Sequence, residues 1–501
     1  MNVPPEPSPT RFFLPRPSRM FGHISYVIGA VVAAAGLSML PAAVTSCIYR
    51  EWETAGWILL SAVITVLIGW FGWRVMGRSD TLTTREGFAT VGLAWFAMAF
   101  FGVLPYLLTG SIDNFTNAFF ETTSGFTTTG ATLVPDPSEL PKGILMWRST
   151  TQWIGGMGVI ILSLAILPLL GVGGVQLARA ESPGPEPDRL TPRFRETARR
   201  LWYVYVLVTL VEALLLWAGD MNLFQAINHA LTNVSTGGFG TEATSIAGFS
   251  PYVQWVVIVS MFIAGTSFAL HFRALRDPGR YWRSAEFRLF SGVVLAAAII
   301  ILGGVWGEAP LPDNIRNSLF TALAIVTGTG YATADFGAWV PALQILVVGL
   351  MFIGGMAGST AGGIKIYRIG ILVKAASADL SRLIHPRGVF ITRFGRDRVP
   401  DPLVESVQSF FLFYMFIFMT STFLMGFLGS TFGPEMDIVT AVSASASALS
   451  NIGPALGELG PTRNYLDVTW AGKWLLSFLM IAGRLELFPV LLLFTRPLWR
   501  R

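Results

Sequence analysis

Four short segments that combine glycine with hydroxyl or amide side chains are the residues of this sequence best suited to chemistry. The chemistry they could perform is cation coordination, because backbone that approaches an ion closely can present carbonyl oxygens that replace its hydration shell. Glycine provides the positive φ angles and the close approach that such a loop requires. The four segments are T-T-T-G-A-T (127–132), S-T-G-G-F-G (235–240), T-G-T-G-Y-A (327–332) and S-N-I-G-P-A (450–455).

The spacing of these segments predicts an internal fourfold repeat. Their shared glycines, Gly130, Gly238, Gly330 and Gly453, are separated by 108, 92 and 123 residues. Such a period is too long for a solenoid and is typical of a quadruplicated unit of helix, pore loop and helix. A second motif keeps the same phase, with its last glycine 26, 27, 25 and 30 residues after the loop glycine: W-I-G-G (153–156), F-I-A-G (262–265), F-I-G-G (352–355) and M-I-A-G (480–483).

Each loop is preceded by a short stretch with the pattern of a helix. We predict these pore helices at 114–126, 222–234, 315–326 and 436–449. Their C-terminal ends, where the helix dipole is negative, would point at a common axis and favour a cation there. Hydroxyl groups available to support a ring of loop carbonyls belong to Thr127, Thr128, Ser235, Thr327 and Ser450.

The elements that position these loops must cross a membrane. The 501 residues are 52% hydrophobic and only 13% charged, which leaves too little polar surface to cover a soluble globule. One cysteine and four scattered histidines provide no ligand cluster for a metal. Ten stretches have spanning length: 22–49, 54–73, 86–109, 149–178, 201–219, 251–270, 289–306, 338–364, 408–432 and 474–495.

The distribution of basic residues predicts the topology of these spans. The net charge of +5 could suggest a nucleic-acid partner, but the charges are placed otherwise. If the N-terminus is cytoplasmic, the six inner segments hold 28 of the 35 Lys and Arg residues. This positive-inside pattern places both termini in the cytoplasm, and no nucleic acid is expected to bind. The polar, proline-rich start of the chain is unlike a signal peptide, so the first span is expected to remain.

At this level of detail the sequence resembles a known family, the potassium-translocating membrane subunits of the bacterial Trk and Ktr systems, and within it the TrkH branch. The resemblance covers nearly the whole chain. Besides the four loops, it rests on G-V-G-G-V-Q-L-A-R-A-E-S-P-G-P (171–185), G-G-M-A-G-S-T-A-G-G-I-K (354–365) and G-R-L-E-L (483–487).

The resemblance implies an all-α polytopic membrane protein with four pseudo-symmetric helix, pore loop and helix repeats around a central pore, plus two extra N-terminal transmembrane helices. It implies uptake of K⁺ through the bacterial cytoplasmic (inner) membrane, a homodimer with one pore per chain, and control by a cytoplasmic nucleotide-binding subunit of the TrkA type. The expected division is 1–80 for the two-helix domain and 81–185, 186–280, 281–390 and 391–501 for the repeats.

Carried over position by position, the family's filter glycines fall on the four shared glycines, with ion-facing carbonyls from each and from the residues before it. A serine at the first of these positions accompanies sodium preference in related plant transporters, so Gly130 favours potassium. The fourth loop departs from the others at two positions, which predicts a ring without fourfold symmetry. The expected ion-facing residues are Thr128, Thr129 and Gly130; Thr236, Gly237 and Gly238; Gly328, Thr329 and Gly330; and Asn451, Ile452 and Gly453.

A glycine-rich segment in the third repeat predicts a broken helix. Each glycine in a helix interior costs up to about 1 kcal/mol relative to alanine, and five occur between 354 and 363. The family resemblance places a gating loop there, beneath the filter; a close-packed helix crossing is the alternative. The residues assigned to this gate are Gly354, Gly355, Gly358, Ser359, Thr360, Gly362, Gly363 and Lys365.

Arg484 is a basic residue in the middle of an otherwise apolar span, one position after M-I-A-G (480–483), the second motif of the fourth repeat. A central arginine is costly to insert, so it should face the pore or a polar partner. Glu486 lies on a different helical face and is a poor partner. We expect the guanidinium to act below the filter as a fixed positive charge; the alternative is an arginine that pins the fourth pore helix by bonding loop carbonyls.

Two other classes of function remain open. A secondary, ion-coupled cation transporter would also use glycine-interrupted helices, but it should show two matching halves and not four phased loops. A polytopic membrane enzyme would need a clustered acid, base or metal site, and the spans contain none, so no enzyme activity is expected. G-V-G-G-V-Q (171–176) follows a membrane helix and lacks the last glycine of a dinucleotide fingerprint, so nucleotide would bind a separate subunit.

Overall fold

The computed structural model describes residues 19–75, 84–166, 192–433 and 435–499. The predicted boundaries at 80/81 and 185/186, and the family motif at 171–185, lie outside these ranges. Within them the chain is predominantly helical, with one two-stranded parallel pair and one two-stranded antiparallel pair.

The N-terminal part forms an antiparallel helical hairpin against the first repeat. Its helices are Arg19–Leu37, Leu40–Ile48 and Trp52–Val75. The crossing is close because glycines face each other: a Cβ added at Gly69 would lie 2.4 Å from the Ala33 nitrogen. Only small residues allow membrane helices to approach this closely. The first two helices together form one membrane span and Trp52–Val75 forms a second, so these are the two extra N-terminal spans that the sequence predicted.

Four copies of one unit follow the hairpin. Each begins with a long helix, continues through a pore helix and a filter loop, and ends in a second helix. The first helices are Thr84–Gly102 with Leu104–Leu108, Pro192–Trp217, Ala285–Gly304 and Asp401–Phe432. The pore helices are Phe115–Phe126, Leu223–Val234, Leu311–Val326 and Ile438–Ser450, which agrees with the predicted positions.

The second helices are the irregular elements of the units. They comprise Lys142–Ile166; Pro251–Gly265 with Phe268–Ala274; Pro341–Met351 with Ile366–Ile384; and Trp470–Arg484 with Phe488–Leu493. Short strands Ile353–Gly354 and Ile364–Lys365 pair in parallel within the third, and Arg393–Phe394 pairs with Asp397–Arg398 after it. Short helices complete the fold: Pro137–Glu139, Arg280–Arg283, Phe336–Ala338, Gly457–Leu459 and Arg496–Trp499.

The described helices that are long and apolar enough to span a membrane number six, or seven if a bent pair counts as one span. The bent pair is Pro251–Gly265 with Phe268–Ala274, whose axes differ by 99°. The ten predicted stretches exceed this count because of the second helices. The predicted span 338–364 contains only the helix Pro341–Met351 before the chain leaves the helical conformation, and 474–495 is divided between two helices. The predicted span 149–178 extends beyond Ile166 into residues outside the described ranges.

Polar side chains set where three of the pore helices begin. Asn114 and Asp437 accept hydrogen bonds from the backbone of the first turn, and Asn222 forms a reciprocal capping box with Gln225. Each cap satisfies a backbone donor that has no partner inside the helix and stabilises it by about 1 kcal/mol. Because each cap fixes the residue at which a pore helix begins, it also fixes where the helix ends and where the filter loop starts.

Candidate ion-coordination ring

The filter loops turn back over the C-terminal ends of their pore helices. In three repeats the residue before the shared glycine donates its backbone N–H to a carbonyl five residues earlier: Thr129 to Ser124 (2.9 Å), Gly237 to Thr232 (2.8 Å) and Ile452 to Ser447 (3.0 Å). Such bonds satisfy carbonyls that a helix end leaves without partners. They also fix the direction of the loop relative to the helix end.

All four shared glycines have positive φ: 81° at Gly130, 77° at Gly238, 72° at Gly330 and 107° at Gly453. The residue two positions earlier is left-handed as well, with φ of 52° at Thr128, 53° at Thr236, 72° at Gly328 and 57° at Asn451. Left-handed backbone is uncommon for residues with a side chain, and three of these four have one. The loops therefore share one unusual conformation despite their different sequences.

The four loops close into a ring, with each glycine packed against a carbonyl oxygen of the next repeat. A Cβ added at Gly130 would lie 2.1 Å from the Gly237 oxygen, and one at Gly238 would lie 1.9 Å from the Thr329 oxygen. An added Cβ at Gly330 would lie 1.9 Å from the Ile452 oxygen. One at Gly453 would lie 2.6 Å from the Thr129 oxygen, which returns to the first repeat. The predicted ion-facing residues are thus brought together.

Hydroxyl groups support the ring unequally. In repeats 1 and 3 a threonine after the pore helix bonds the loop: the hydroxyls of Thr127 and Thr129 are 2.8 Å apart, and those of Thr327 and Thr329 are 2.7 Å apart. The Ser450 hydroxyl contacts the Tyr414 hydroxyl at 2.7 Å. These contacts involve hydroxyl groups only and do not occupy the loop carbonyl oxygens.

A buried ion pair joins the first two loops. Arg148 on the second helix of repeat 1 donates from Nε to Glu121 Oε1 at 2.9 Å, and both side chains are inaccessible to solvent. Glu121 also accepts from the backbone N–H of Leu133 at 2.9 Å. Arg148 donates to the Gly240 carbonyl at 3.3 Å, and its guanidinium lies 4.1 Å from the centre of the Phe239 ring.

A cavity of about 100 Å³ lies against the ring. All four shared glycines line it, together with Arg148 and Glu242. Within the described ranges, no group of three His, Cys, Asp or Glu side chains could hold a metal ion. The backbone oxygens of the ring are the candidate ligands at this site.

The glycine-rich segment of repeat 3 is not helical. The helix Pro341–Met351 ends before it, and Ile366–Ile384 begins after it. The parallel strand pair closes the segment at its base, with Ile353 opposite Ile364 and Gly354 opposite Lys365. The predicted break is confirmed, and the alternative of a continuous close-packed helix is wrong.

This segment contacts the ends of two pore helices. The Thr360 hydroxyl donates to the carbonyl of Val234, the last residue of the second pore helix, at 3.0 Å. A Cβ added at Gly362 would lie 2.2 Å from the oxygen of Ser450, the last residue of the fourth. The segment therefore packs against the C-terminal ends of the second and fourth pore helices.

The other residues assigned to the segment hold its shape. The Gly355 carbonyl accepts from the Ile366 N–H at 3.1 Å, and the Gly358 carbonyl accepts from the Phe268 N–H at 3.0 Å. The Ser359 hydroxyl donates to Met356, and Lys365 donates to Ala361. Gly358 and Gly363 have positive φ, at 75° and 66°.

Arg484 is bonded to this segment. Its Nη1 donates to the Thr360 carbonyl at 2.8 Å and its Nη2 to the Gly155 carbonyl at 3.4 Å, while its Nε has no hydrogen-bond partner. The side chain is 3% exposed. Glu486 pairs with Arg368 instead, so the expectation that it is no partner for Arg484 is confirmed. Neither bond reaches the fourth pore helix, whereas the alternative role required the arginine to pin that helix.

The sequence reasoning missed two sets of residues around the ring. Glu121 and Arg148 form the first set, and a glutamate inside a predicted pore helix with an arginine 27 residues later was the available signal. Gln152 is the second, and the signal was an amide directly before W-I-G-G (153–156), where the other repeats have an apolar residue.

The fold and the ring define a polytopic membrane protein whose four internal repeats surround one site. A family model described as TrkH, cation transport protein, matches residues 58–498. The chain therefore belongs to the TrkH family of cation transport proteins, which is a family of transporters and not of enzymes.

Similar proteins cover nearly the same length. The Trk system potassium uptake protein TrkH of Escherichia coli (strain K12) is 36% identical over 490 residues, which is 96% of this chain and 99% of that protein. The Trk system potassium uptake protein TrkG of the same strain is 34% identical over 95% of this chain and 98% of its own. The crystal structure of the potassium transporter TrkH from Vibrio parahaemolyticus matches with a TM-score of 0.87 at 34% identity, over 96% of this chain and 99% of that one.

Proposed function

We propose that this chain carries K⁺ across the bacterial cytoplasmic membrane through a channel-like pore, with the four loops as its selectivity filter. The observation that carries the proposal is the closed ring, in which the glycine of each repeat packs against a carbonyl oxygen of the next. Carbonyl oxygens held in a ring can replace the water around an alkali cation. The names of the relatives support K⁺ as the transported ion.

The pore helices add electrostatic support to this proposal. Each ends where its filter loop begins, so four partial negative charges converge near the ring. Cations are favoured there and anions are not. The buried Arg148 would oppose this effect, but its charge is neutralised by Glu121 at 2.9 Å.

The alternative is a secondary transporter that couples K⁺ to another ion. Such transporters are typically built from two matching halves with the site at their interface. Here four repeats contribute one loop each to a single closed ring, which favours a channel-like pore.

The glycine-rich segment and Arg484 are the gate in this proposal. The segment lies under two pore helices and is joined to Arg484 through the Thr360 carbonyl. In this position it narrows the pore below the filter, with the arginine as a fixed positive charge that slows cations.

A cytoplasmic nucleotide-binding subunit of the TrkA type would displace the gating segment, and two chains would assemble as a homodimer with one pore each. Both termini would be cytoplasmic. Helix Ile366–Ile384 begins directly after the gating segment and ends with two exposed apolar residues, Leu383 and Ile384. A partner that binds there could pull on the gate through one rigid helix.

Replacing Gly238 by serine tests the filter. Left-handed backbone costs a residue with a side chain about 1–3 kcal/mol, and the new Cβ would also collide with the Thr329 oxygen. We expect the preference for K⁺ over Na⁺ to fall about tenfold or more, which corresponds to about 1.4 kcal/mol. Fluxes of Rb⁺, K⁺ and Na⁺ into liposomes containing the purified chain would measure it.

The matched control is Gly110→Ser. Gly110 has the same left-handed φ, at 68°, but nothing lies within 4 Å of an added Cβ. This variant carries the backbone strain without the collision at the ring and should keep the parent's selectivity. A Gly238→Ser protein with the parent's K⁺ to Na⁺ ratio would count against the filter.

A further inference from the structure

Two departures from the fourfold pattern meet in the structure. The residue before the shared glycine carries a side chain in three loops (Thr129, Thr329 and Ile452), and is a glycine only in repeat 2 (Gly237). The residue before the second motif is apolar in three repeats (Met261, Met351 and Leu479), and is an amide only in repeat 1 (Gln152). The second helix of repeat 1 packs against the loop of repeat 2, so the two exceptional residues are neighbours.

Gln152 holds the second loop at two points. Its Nε2 donates to the Gly237 carbonyl at 2.7 Å, and its Oε1 accepts from the Phe239 backbone N–H at 3.1 Å. The side chain is completely buried. The orientation of the amide follows from these contacts, because a backbone N–H requires the oxygen and a carbonyl requires the nitrogen.

Gln152 also occupies the space that a side chain at position 237 would need. A Cβ added at Gly237 would lie 2.4 Å from Gln152 Cδ. The amide and a larger residue at 237 are therefore mutually exclusive. Repeats 3 and 4 show the opposite combination. A side chain, Thr329 or Ile452, precedes the shared glycine of the loop, and the repeat before it has a methionine, Met261 or Met351, directly before the second motif.

The Gly237 carbonyl needs an external restraint. It is the ring oxygen that packs against Gly130, and it belongs to a peptide between two consecutive glycines, Gly237 and Gly238. Glycine allows many backbone conformations, so this peptide can rotate more freely than its counterparts. Within the described part of the chain, no side-chain hydrogen bond reaches the carbonyls of Thr129, Thr329 or Ile452.

We infer that Gln152 is a specificity-determining positioning residue, whose amide replaces the missing side chain of Gly237 and fixes the ring carbonyl that this glycine leaves free to rotate. The inference rests on the proposed role of the ring as a filter. It makes the ring chemically unequal: of the four oxygens that pack against the shared glycines, one accepts from a side-chain donor, and within the described residues the other three accept from none.

Three variants test the pair. Gln152→Met gives repeat 1 the residue found at 261 and 351, removes both hydrogen bonds and should lower the K⁺ to Na⁺ flux ratio about tenfold. Gly237→Thr alone should collide with the amide and abolish K⁺ flux. The double variant reproduces the pairing of Thr329 with Met261 and should recover at least a third of the parent's flux ratio. If Gln152→Met does not fold, the flux ratio of the double variant is compared directly with that of the parent.

Gln344→Met is the matched control, because Gln344 also donates to loop carbonyls, those of Gly337 and Trp339, but lies outside the ring. It should keep the parent's flux ratio. A Gln152→Met protein with the parent's ratio, or a double variant whose ratio recovers no further than that of Gln152→Met, overturns the inference. Unchanged ratios in Gln152→Met alongside an altered ratio in Gly238→Ser would refute Gln152 alone, whereas unchanged ratios in both would refute the filter.

Discussion

Removing the positive charge of the buried pair between Glu121 and Arg148 should cost more stability than any change at a surface ion pair. In Arg148→Met the Glu121 carboxylate keeps only the Leu133 N–H and the Thr132 hydroxyl as partners. A buried charge left without its counter-charge costs about 3–5 kcal/mol. The pair also joins the loops of repeats 1 and 2, so K⁺ flux should be lost together with stability.

Removing the negative charge of the pair distinguishes the effect of charge from the effect of side-chain packing. Glu121→Gln retains the shape of the side chain and a carbonyl oxygen for the Leu133 N–H, but leaves Arg148 positive beside the cavity that the four glycines line. Cations are then repelled at the ring, so K⁺ flux should fall by more than stability does. The double variant Glu121→Gln, Arg148→Met removes both charges and should regain at least about 2 kcal/mol relative to Arg148→Met, because the two sites are directly coupled.

Unfolding of the purified chain in detergent, followed together with liposome flux, would measure these effects. Arg382→Met is the matched control, since Arg382 pairs with Asp379 at 2.7 Å and both side chains are about half exposed. An exposed pair contributes about 0–1 kcal/mol. If Arg148→Met costs no more stability than Arg382→Met, the buried pair does not hold the loops.

Two further predictions concern the gate. Deleting residues 358–363 removes the contacts beneath the second and fourth pore helices and should raise basal K⁺ flux; a deletion protein that folds yet conducts no faster than the parent would show that the segment is not a barrier. Arg484→Ala removes a buried charge and its bond to the Thr360 carbonyl and should increase flux per folded protein. Flux and thermal stability measured on the same preparation decide this case, because a destabilised protein with equal or lower flux contradicts the barrier role.

The sequence predicted the pore helices to within about four residues because four copies of one pattern were in phase. A single S-T-G-G-F-G has many explanations in a membrane protein, but four loops with a second motif at similar distances have few. The break at 354–363 was predictable for a similar reason, since its glycine content exceeds what a helix tolerates. In the first case the signal was a pattern repeated in phase, and in the second it was the composition of one segment.

What could not be predicted depends on contacts between distant parts of the chain. The 99° bend after Gly265 follows a sequence, A-G-T-S, that is also compatible with an unbroken helix. The Glu121 pair and the Gln152 amide act across 27 and 85 residues, so the sequence shows an unusual polar residue at each place but does not establish which residue it contacts. Side-chain partners at such separations are set by packing, which periodicity does not describe.

The departure of the fourth loop from the common pattern has a physical explanation in the closure of the ring. Repeats 1 to 4 are joined in order by the chain, but no covalent link joins repeat 4 to repeat 1, so non-covalent contacts alone hold that boundary together. Asn451, where the others have threonine or glycine, adopts a left-handed conformation and donates to the Thr129 hydroxyl at 3.0 Å and to the Met480 carbonyl at 2.8 Å. Lys473 bonds Asn117 across the same boundary at 2.8 Å. The sequence asymmetry in S-N-I-G-P-A therefore lies where a fourfold ring made from one chain has its only seam.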